Sequence, residues 1–420
     1  MKVLHLSFSD YKGGAARAAL RIHKSLLKKK FSSFLKVNFS SGKNICRNIL
    51  RPNFLINNYN FIKNSFESVV SRLLTSKKFV KNSISLFPTN IHKFINQSDF
   101  DIINLHWING ETISIEDIGK IKKPIVWTLH DMWPFCASEH YMLSNINFLR
   151  QYGLKCIKKK KLFSNISLEK FTFNRKLTAW KNKMYIVGVS NWISKVASKS
   201  YLMSRYPCQT IFNTLDIKFW KIQNKLSARK YFNLPNNIKL IGFNLPLNYN
   251  AYLKGKDIFL SAIQNLSLDK NKYAFLIIGG SDNFMSGKYL PKVFNISKLK
   301  NDIEMRNFYN CLDVLVVPSR VESFGQIASE AASCGVPVVA FDFSGLKDII
   351  IHKKSGWLAK PYSAKDLAKG INFILNLKIK DFKKMSKLAT RTAKNKFSYD
   401  IIANKYIKLY KKILNDKYSR

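Results

Sequence analysis

Residues 314–339 read VLVVPSRVESFGQIASEAASCGVPVV and carry the clearest folding signal in the chain. Two continuous apolar runs, Val314–Val317 and Val336–Phe341, lie at either end, as buried strands of a parallel sheet do. The segment between them predicts a helix that begins around Phe324 and ends at Gly335, since glycine commonly ends a helix and a proline follows shortly after it. The stretch therefore predicts a strand–helix–strand unit.

The same alternation of apolar run and helical stretch recurs along the chain. The other predicted strands are Lys2–Phe8, Ser33–Phe39, Asp101–Trp107, Ile125–His130, Met184–Val189, Leu240–Asn244 and Ala274–Ile278. A helix is predicted over Ala15–Lys30, where apolar residues recur at a spacing near 3.6 residues. Because the strand runs are continuous, we expect parallel sheets covered by helices on both faces. The predicted fold class is doubly wound α/β.

The length of the chain favours two domains, because 420 residues are too many for one ordinary hydrophobic core. We place the boundary near residues 209–220, which look like a strand followed by a connection. This predicts domains over residues 1–207 and 208–397, with a cleft between them. After Phe397 the chain ends in an amphipathic helical stretch.

The composition excludes several classes of protein. Hydrophobic residues make up 46% of the chain and aromatic residues 13%, which suffices for buried cores and excludes global disorder. No apolar run approaches the ~18–20 residues that span a bilayer. The run Val3–Phe8 is too short for the core of a signal peptide, so we expect a cytoplasmic protein. The six cysteines are scattered, so neither a disulfide framework nor a structural zinc site is expected.

The charge of the chain points to an anionic partner. Lys and Arg number 71 against 25 Asp and Glu, a formal net charge of +46. Charge alone leaves nucleic acid, an acidic membrane surface and a phosphorylated substrate open. Residues 54–83 are apolar with interleaved Lys and Arg, and predict either a helix lying in a membrane interface or an ordinary surface helix. Residues 150–183 hold eleven Lys or Arg and one acid, and predict either a solvated loop or an anion-attracting segment.

Three features of the first half lie where a doubly wound fold binds its ligands. Gly13 and Gly14 follow the first strand, where a glycine loop lets the backbone approach a phosphate, and Arg17 lies just beyond. His130 ends a strand, and the carboxyl edge of a parallel sheet is the usual ligand crevice. The structural alternatives are a plain tight turn for the two glycines and a hydrogen-bonded core histidine for His130.

Two carboxylates flank the helix start in the 314–339 stretch. Glu322 comes from the loop and Glu330 lies about two turns into the helix. The N–H groups and the positive dipole end near Gly325 favour a phosphate. Carboxylates at these positions suit the hydroxyl groups of a sugar and a ribose. The structural alternative makes Glu322 an N-terminal helix charge and Glu330 a solvent-facing residue.

The nine residues ESFGQIASE, 322–330, resemble the donor-sugar signature of glycosyltransferase family 4, the retaining group 1 enzymes with the GT-B fold. The resemblance implies that Glu322 contacts hydroxyl groups of the transferred sugar and that Glu330 binds the nucleotide ribose. It also implies that backbone amides of Ser323, Phe324 and Gly325 hold the diphosphate.

Further stretches match the same family in the same order. FSDYKGGAARAALRIHKSL is similar to its N-terminal glycine-rich loop and first helix, and SGWLAKPYSAKDLAKGI to its C-terminal region. FSYDIIANKYIKLY resembles its final helix, which crosses back to the first domain. The implied fold is GT-B, with two Rossmann-like domains: residues 1–207, together with the 398–420 helix, handle the acceptor, and residues 208–397 bind the nucleotide sugar.

The stretch TLHDMWPFCASEHY supplies the implied residues of the first domain. By resemblance, His130 contacts the donor sugar near the reacting carbon. Asp131, Glu139 and His140 are candidates for the acceptor side.

The pair Lys254-Gly255, followed by Lys256, resembles the family's Lys–Gly pair, whose lysine neutralises the leaving diphosphate. Family members commonly carry an arginine about six residues earlier, but residues 247–250 here read LNYN. An arginine side chain that could bind a phosphate through two hydrogen bonds is therefore missing. Either Lys254 or Lys256 compensates, or donor binding is altered.

The implied activity is retaining transfer of a sugar, of the hexosyltransferase type, from a UDP- or GDP-sugar to a hydroxyl of a glycan or lipid-linked acceptor. Lipopolysaccharide or O-antigen, capsule and exopolysaccharide synthesis are the expected settings, on the inner face of the cytoplasmic membrane. An anionic membrane surface is the expected further partner, and neither a metal nor another cofactor is expected. The alternatives are a catalytically impaired GT-B binding protein, a nucleotide-sugar epimerase and a basic nucleic-acid-binding protein.

Overall fold

The computed structural model describes residues 1–11, 13–40, 42, 46–75, 81–142, 168–245, 250–266, 269, 271–279 and 291–418. The chain divides into two compact units. Unit 1 comprises Met1–Thr214 and Tyr399–Arg420, and unit 2 comprises Leu215–Ser398. Most of the basic stretch 150–183 and the LNYN residues 247–249 lie outside the described residues.

Unit 1 is built on a parallel sheet of seven strands in the order β3-β2-β1-β4-β5-β6-β7. The strands are β1 (Lys2–Ser9), β2 (Ser32–Phe39), β3 (Ile49–Leu50), β4 (Ile102–Leu105), β5 (Ile125–Leu129), β6 (Met184–Gly188) and β7 (Cys208–Thr210). Its helices are α1 (Gly14–Lys28), α2 (Phe54–Leu74), α3 (Ile91–Gln97), α4 (Ile115–Gly119), α5 (Leu168–Ala179), α6 (Asn191–Ser198) and the final helix, Tyr399–Tyr418. The central strands are apolar and buried, as the continuous runs predict.

The final helix belongs to unit 1, as expected from its resemblance. Its buried side chains Ile402, Tyr406 and Tyr410 join the core formed by Val3 and Ile22. A correction concerns residues 208–214, which the sequence analysis placed in the second domain. They belong to unit 1, because β7 pairs with β6 at the edge of the first sheet.

Unit 2 repeats the same topology with six parallel strands in the order β10-β9-β8-β11-β12-β13. The strands are β8 (Lys239–Asn244), β9 (Tyr273–Ile278), β10 (Lys292–Ile296), β11 (Val314–Val317), β12 (Val338–Phe341) and β13 (Gly356–Ala359). The helices are α7 (Lys225–Tyr231), α8 (Asn250–Leu253), α9 (Lys256–Gln264), α10 (Asp302–Cys311), α11 (Gln326–Ser333), α12 (Ala364–Leu375) and α13 (Ile379–Phe397), and the final helix of unit 1 is α14. A 3₁₀ turn covers Ser344–Asp348.

The core of unit 2 lies between this sheet and the helices that cover it. Phe243 of β8 and Phe259 of α9 stack with their ring centroids 4.0 Å apart. Trp357 of β13 packs against Phe373 of α12 at 5.2 Å. Among the described helices of either unit, none is long and apolar enough to cross a membrane.

Candidate functional site

The loop between β11 and α11 carries the first group of predicted residues. Helix α11 begins directly after Gly325, whose φ of 100° lies in the region that side chains avoid. A Cβ atom there would lie 2.7 Å from Cδ2 of Leu346. Glycine is therefore required both by the backbone angle and by the close approach of the 3₁₀ turn.

Glu322 is held in this loop by an ion pair and two hydrogen bonds. Its Oε1 lies 2.5 Å from Nζ of Lys254 and accepts a hydrogen bond of 2.9 Å from Oγ of Ser319. Its backbone N–H donates to Oγ of Ser344 at 3.1 Å. The side chain of Glu322 is 12% exposed and that of Lys254 is 37% exposed. The pair thus joins two residues 68 positions apart at the surface of unit 2.

A second glycine turn brings Lys254 to this position. Gly255 has a φ of 71°, and a Cβ atom there would lie 1.9 Å from the carbonyl oxygen of Pro318. The backbone N–H of Arg320 donates to the carbonyl of Leu253 at 2.8 Å. The turn before α9 is therefore packed directly against the end of β11, and Lys256, half-buried, begins the helix.

An arginine that the sequence analysis missed lies beside this turn. Arg320 makes two hydrogen bonds to the carboxylate of Asp257, at 2.8 and 2.6 Å, and a third to the carbonyl of Tyr252 at 2.6 Å. Its guanidinium lies 3.8 Å from the Tyr252 ring centroid. The hydrogen bond from Arg320 lowers the pKa of Asp257. The residues 247–249, where the family arginine is expected, lie outside the described part of the chain.

Glu330 faces the interior of unit 2. It is 2% exposed, and its Oε2 accepts a hydrogen bond of 2.8 Å from the hydroxyl of Tyr309 on α10. The alternative of a solvent-facing residue is therefore wrong. Ser323 and Phe324 are also buried, and Phe324 packs edge-on against Phe397 with centroids 5.1 Å apart. The ribose and diphosphate contacts of these residues stay predictions.

In unit 1, the glycine pair lies where the sequence places it, at the start of α1. Gly13 has a φ of 90°, and its carbonyl accepts the first helical hydrogen bond from the N–H of Arg17 at 3.2 Å. Apart from its chain neighbours, none of the described residues comes within 4 Å of a Cβ built at Gly13. Gly13 and Gly14 are exposed and Arg17 is half-buried. The turn therefore leaves its backbone accessible.

His130 directly follows β5 and is hydrogen bonded to a second histidine. Its Nε2 lies 2.9 Å from Nδ1 of His106, which directly follows β4. Nε2 of His106 lies 2.9 Å from Nδ1 of His5 in β1. Burial lowers the pKa of His130 to about 4, and the neighbouring Asp131 carboxylate opposes this shift. His5 and His106 were missed by the sequence analysis; the signal for them is a histidine in each of three predicted strands, which the structure shows to be neighbours.

The three acceptor-side candidates are buried in unit 1, at 5% exposure for Asp131, 1% for Glu139 and 3% for His140. Oδ2 of Asp131 lies 2.5 Å from Nδ1 of His140 and accepts a hydrogen bond of 2.6 Å from Nε1 of Trp107. Nε2 of His140 lies 2.9 Å from Oγ of Ser83. These contacts fix the 131–140 segment, and the acceptor contacts stay predictions.

The described parts of the chain hold no cluster of three or more His, Cys, Asp or Glu side chains placed to bind a metal ion. Cys156, one of the two cysteines after the HDMW motif, lies outside them. The other, Cys136, is buried. That the reaction needs no metal ion therefore stays a prediction from the resemblance.

Comparison with known proteins finds a match to a family model in the second half of the chain. Residues 233–395 match the family model described as glycosyl transferases group 1. This region covers β8 to β13 and most of the helices of unit 2, including Lys254 and the 322–330 signature.

Two relatives differ in how much of their length the chain covers. An uncharacterized 41.2 kDa protein in the cps region of Klebsiella pneumoniae is 27% identical over 274 residues, which are 62% of this chain and 74% of that protein. The N,N'-diacetylbacillosaminyl-diphospho-undecaprenol alpha-1,3-N-acetylgalactosaminyltransferase of Campylobacter jejuni is 31% identical over 160 residues. Those residues are 36% of this chain and 41% of the relative, so the chain spans less than half of that protein.

A solved structure extends the likeness to the whole fold. The crystal structure of Anabaena HepE in complex with UDP-glucose has a TM-score of 0.62 at 15% identity. The match covers 99% of this chain and 100% of that one. Together with the two parallel sheets, this confirms the predicted α/β fold class of GT-B type.

Proposed function

Because residues 233–395 of this chain match the family model of the group 1 glycosyl transferases, we propose that the protein transfers a sugar, with retention of configuration, from a nucleotide-diphosphate sugar to a hydroxyl group. At the level of the family, the predicted enzyme class is confirmed: the chain carries a glycosyltransferase domain. The observation that carries the proposal is the contact between Lys254 and Glu322 beside the start of α11.

In the proposed reaction, unit 2 stabilises the leaving diphosphate. The Lys254 ammonium and the positive end of α11 are fixed positive charges, and fixed charges aimed at a developing anion lower the barrier of such a step. Lys256, two residues farther along the chain, adds a second ammonium at the start of α9. Glu322 accepts hydrogen bonds from sugar hydroxyls, and Glu330 is assigned to the ribose. The donor nucleotide is UDP or GDP; HepE, which has the same fold, was crystallised with UDP-glucose.

The residues of unit 1 complete the proposal. The exposed backbone of Gly13 and Gly14, with Arg17, is assigned to the donor phosphates because positive φ at Gly13 leaves this turn open. His130 is assigned to a hydroxyl of the transferred sugar. No metal or other cofactor takes part in the proposed step, in which the acceptor hydroxyl attacks as the diphosphate leaves.

We assign the acceptor to a glycan or lipid-linked sugar of surface polysaccharide, such as capsule, lipopolysaccharide O-antigen or exopolysaccharide. Two relatives support this assignment. One is encoded in a cps region, and the other is named for an undecaprenol-linked acceptor. Asp131, Glu139 and His140 shape the acceptor side through the segment that they hold in place.

The exposed face of α2 supports a membrane-bound location on the inner face of the cytoplasmic membrane. The side of α2 that packs on unit 1 is polar and consists of Asn60, Lys63, Glu67 and Ser71. Its exposed side chains are large and apolar: Phe54, Leu55, Ile56, Tyr59, Phe61, Ile62, Phe66, Val69, Leu73 and Leu74 are each at least 50% exposed. Exposed apolar surface of this extent marks an interaction site.

Hydrogen bonds explain why α2 packs with its polar side inward. The Glu67 carboxylate accepts from the backbone N–H groups of Ile84 and Ser85, at 2.6 and 2.9 Å. The Asn60 amide donates to the carbonyl of Asn38 at 3.0 Å. Glu67 and Asn60 therefore bind the rest of unit 1 through hydrogen bonds, and the apolar side of α2 faces outward. In a chain of net charge +46, an anionic lipid interface fits both the apolar face and the charge.

Incubation with a panel of UDP- and GDP-sugars and a lipid-linked acceptor tests the function. We expect wild-type protein to form product and Glu322→Gln to lose most of that activity. Binding of a nucleotide sugar without product in wild type identifies a binding protein instead, and an epimerised donor identifies an epimerase. If no nucleotide sugar binds and the protein retards DNA at moderate salt, the transferase proposal fails.

A further inference from the structure

Three histidines, two of them buried and the third half-buried, form a continuous hydrogen-bonded chain across the first sheet. His5 lies in β1, and His106 and His130 directly follow β4 and β5, which are the next two strands in order. Both nitrogen–nitrogen distances are 2.9 Å. The rings stack with centroids 5.2 Å apart at each step and with interplanar angles of 28° and 25°. In the sheet register His5 pairs with Asn104 and Asn104 with Val126, so each histidine lies two positions farther along the strand direction than the one before it.

Each link of this chain needs one protonated and one bare nitrogen, since a hydrogen bond joins a donor to an acceptor. A neutral imidazole carries one proton on either Nδ1 or Nε2. Burial lowers the pKa of all three rings, so the rings are neutral at pH 7. Only two arrangements then satisfy both links: all three rings protonated at Nδ1, or all three at Nε2.

The surroundings of His5, the first of the three histidines, decide between these two arrangements. Nε2 of His5 is buried and has no hydrogen-bond partner among the described residues. A proton on that nitrogen would leave a buried N–H unpaired, which native structures rarely tolerate, whereas a bare nitrogen leaves only an acceptor unpaired. The arrangement with all three protons on Nδ1 is therefore favoured.

We propose that His5 and His106 are positioning residues that hold His130 in its Nδ1–H tautomer, so that His130 donates a hydrogen bond to an oxygen of the sugar donor. In this arrangement His5 Nδ1–H donates to His106, and His106 Nδ1–H donates to Nε2 of His130. Nδ1 of His130 takes no part in these hydrogen bonds, and the residue is half-buried, whereas His5 and His106 are buried. The contact with the sugar rests on the proposed function, while the tautomer does not.

His23 provides a matched control next to the chain. Its ring centroid lies 6.2 Å from that of His5. Its two nitrogens are used elsewhere, by Oγ of Ser33 at 2.8 Å and the carbonyl of Arg47 at 3.0 Å. Burial lowers the pKa of His23 to about 4 as well. His23 is therefore buried and neutral, as His5 and His106 are, but it is not hydrogen bonded to any of the three histidines.

Nitrogen-15 NMR of the full-length protein, labelled at its histidines, measures the tautomer of His130 without any substrate. We expect His130 in wild type to be protonated at Nδ1 and bare at Nε2 at pH 7. In His106→Phe the partner of Nε2 is lost, and we expect His130 to shift toward the Nε2–H form that an unconstrained neutral imidazole prefers. A wild-type His130 protonated at Nε2 overturns the proposal, as does an unchanged tautomer in His106→Phe.

Substitution of His5 separates positioning from packing. Asparagine places an amide N–H where Nδ1 of His5 lies, so His5→Asn should keep the tautomer of His130, whereas His5→Leu should lose it. In transfer assays we expect His5→Leu to lower kcat about 10-fold with KM little changed, less than the 10²–10³-fold cost of losing an oxyanion donor outright. His5→Asn should restore kcat, and His23→Gln should match wild type.

The outcomes distinguish this inference from the function on which it rests. A His5→Leu variant whose His130 tautomer equals that of wild type overturns the positioning role, whatever its activity. A wild type with the predicted tautomer but no sugar transfer leaves the histidine chain standing and refutes the proposed function instead. Thermal unfolding of each variant shows whether a lost tautomer reflects a lost fold.

Discussion

The ammonium of Lys254 lies 2.5 Å from Oε1 of Glu322, and this contact joins two motifs that lie far apart in the sequence. The close packing of Gly255 against Pro318 sets the position of Lys254, and the positive φ of Gly325 sets the start of α11. Lys254 and Glu322 therefore form one ion pair, and a different turn of the fold positions each of them. A bound diphosphate would compete with Glu322 for the lysine.

Removing the Lys254 ammonium tests its role in leaving-group stabilisation. We expect Lys254→Met to lower kcat by about 100-fold, because a fixed charge at a developing anion contributes most in the transition state. The rate of product formation at saturating donor measures this. Lys225 is the matched control, since its Nζ lies 2.6 Å from Asp313 and its exposure of 39% is close to the 37% of Lys254. Equal losses in Lys225→Met and Lys254→Met would contradict the assignment.

A methyl group at Gly325 tests the turn before α11. We expect Gly325→Ala to reduce the free energy of unfolding by about 1–3 kcal/mol, because alanine must adopt a positive φ. Its Cβ would also lie 2.7 Å from Leu346. Gly13→Ala has a comparable φ but open space around its Cβ, so the smaller loss expected there isolates the contact with Leu346. Denaturant unfolding measures both variants, and a smaller loss for Gly325→Ala would contradict this explanation.

The exposed face of α2 predicts binding to anionic vesicles. We expect wild-type protein to sediment with vesicles containing acidic lipid and to be released by salt, which screens surface charge. The double variant Leu55→Ser, Ile62→Ser should bind at least 10-fold more weakly, since each side chain contributes about 1.5–3 kcal/mol when buried. Ile303→Ser, which alters an exposed side chain of unit 2, is the control. Equal binding by all three proteins, or indifference to lipid charge, would refute the membrane assignment.

The buried histidines predict a loss of stability on acidification. The pKa of His130 and that of His23 lie at about 4 in the folded chain, against 6.5 when unfolded. Between pH 6.5 and 4 the unfolded state therefore binds more protons, so the free energy of unfolding falls as the pH is lowered through this range. Each histidine contributes at most about 1.4 kcal/mol per pH unit.

Comparison of variants separates the contribution of His130 to the pH dependence of unfolding from the contributions of other titratable groups. Burial, with the Glu67 charge, raises the pKa of Glu111 to about 7, and this carboxyl acts in the opposite direction between pH 4.5 and 7. Since Glu111 is present in every variant, we expect His130→Asn to have a shallower pH dependence of unfolding than wild type. An unchanged pH dependence in His130→Asn would show that this ring already carries a proton in the folded state.

Most of the sheet was predictable from the sequence because its central strands are continuous apolar runs. The short strand β3 and the strands β10 and β13 were missed, whereas β7 lies at the start of the 209–220 stretch that was predicted to begin with a strand. Residues 292–296 read KVFNI and are only partly buried, and β3 spans two residues. Their pairing depends on a neighbouring strand already in place, which no local pattern reveals.

Site residues that lie within a sequence motif could be predicted. Contacts between residues far apart in the sequence could not, because they depend on the fold. Glu322 and Lys254 were found through separate motifs, but their contact depends on the packing of two turns. His5 and His106 were missed because only the pairing of β1 with β4 and of β4 with β5 brings His5 next to His106 and His106 next to His130. The burial of Glu330 was also missed, since helix periodicity does not reveal the Tyr309 hydroxyl that satisfies it.

Proton NMR of the transfer product tests the central claim most directly. Product formed from an α-linked nucleotide sugar is analysed for the configuration of its new anomeric carbon, alongside the released nucleoside diphosphate. We predict an α-linked product and one nucleoside diphosphate per sugar transferred, with both lost together in Glu322→Gln. A β-linked product, or diphosphate release that Glu322→Gln leaves unchanged, would contradict retaining transfer at this site.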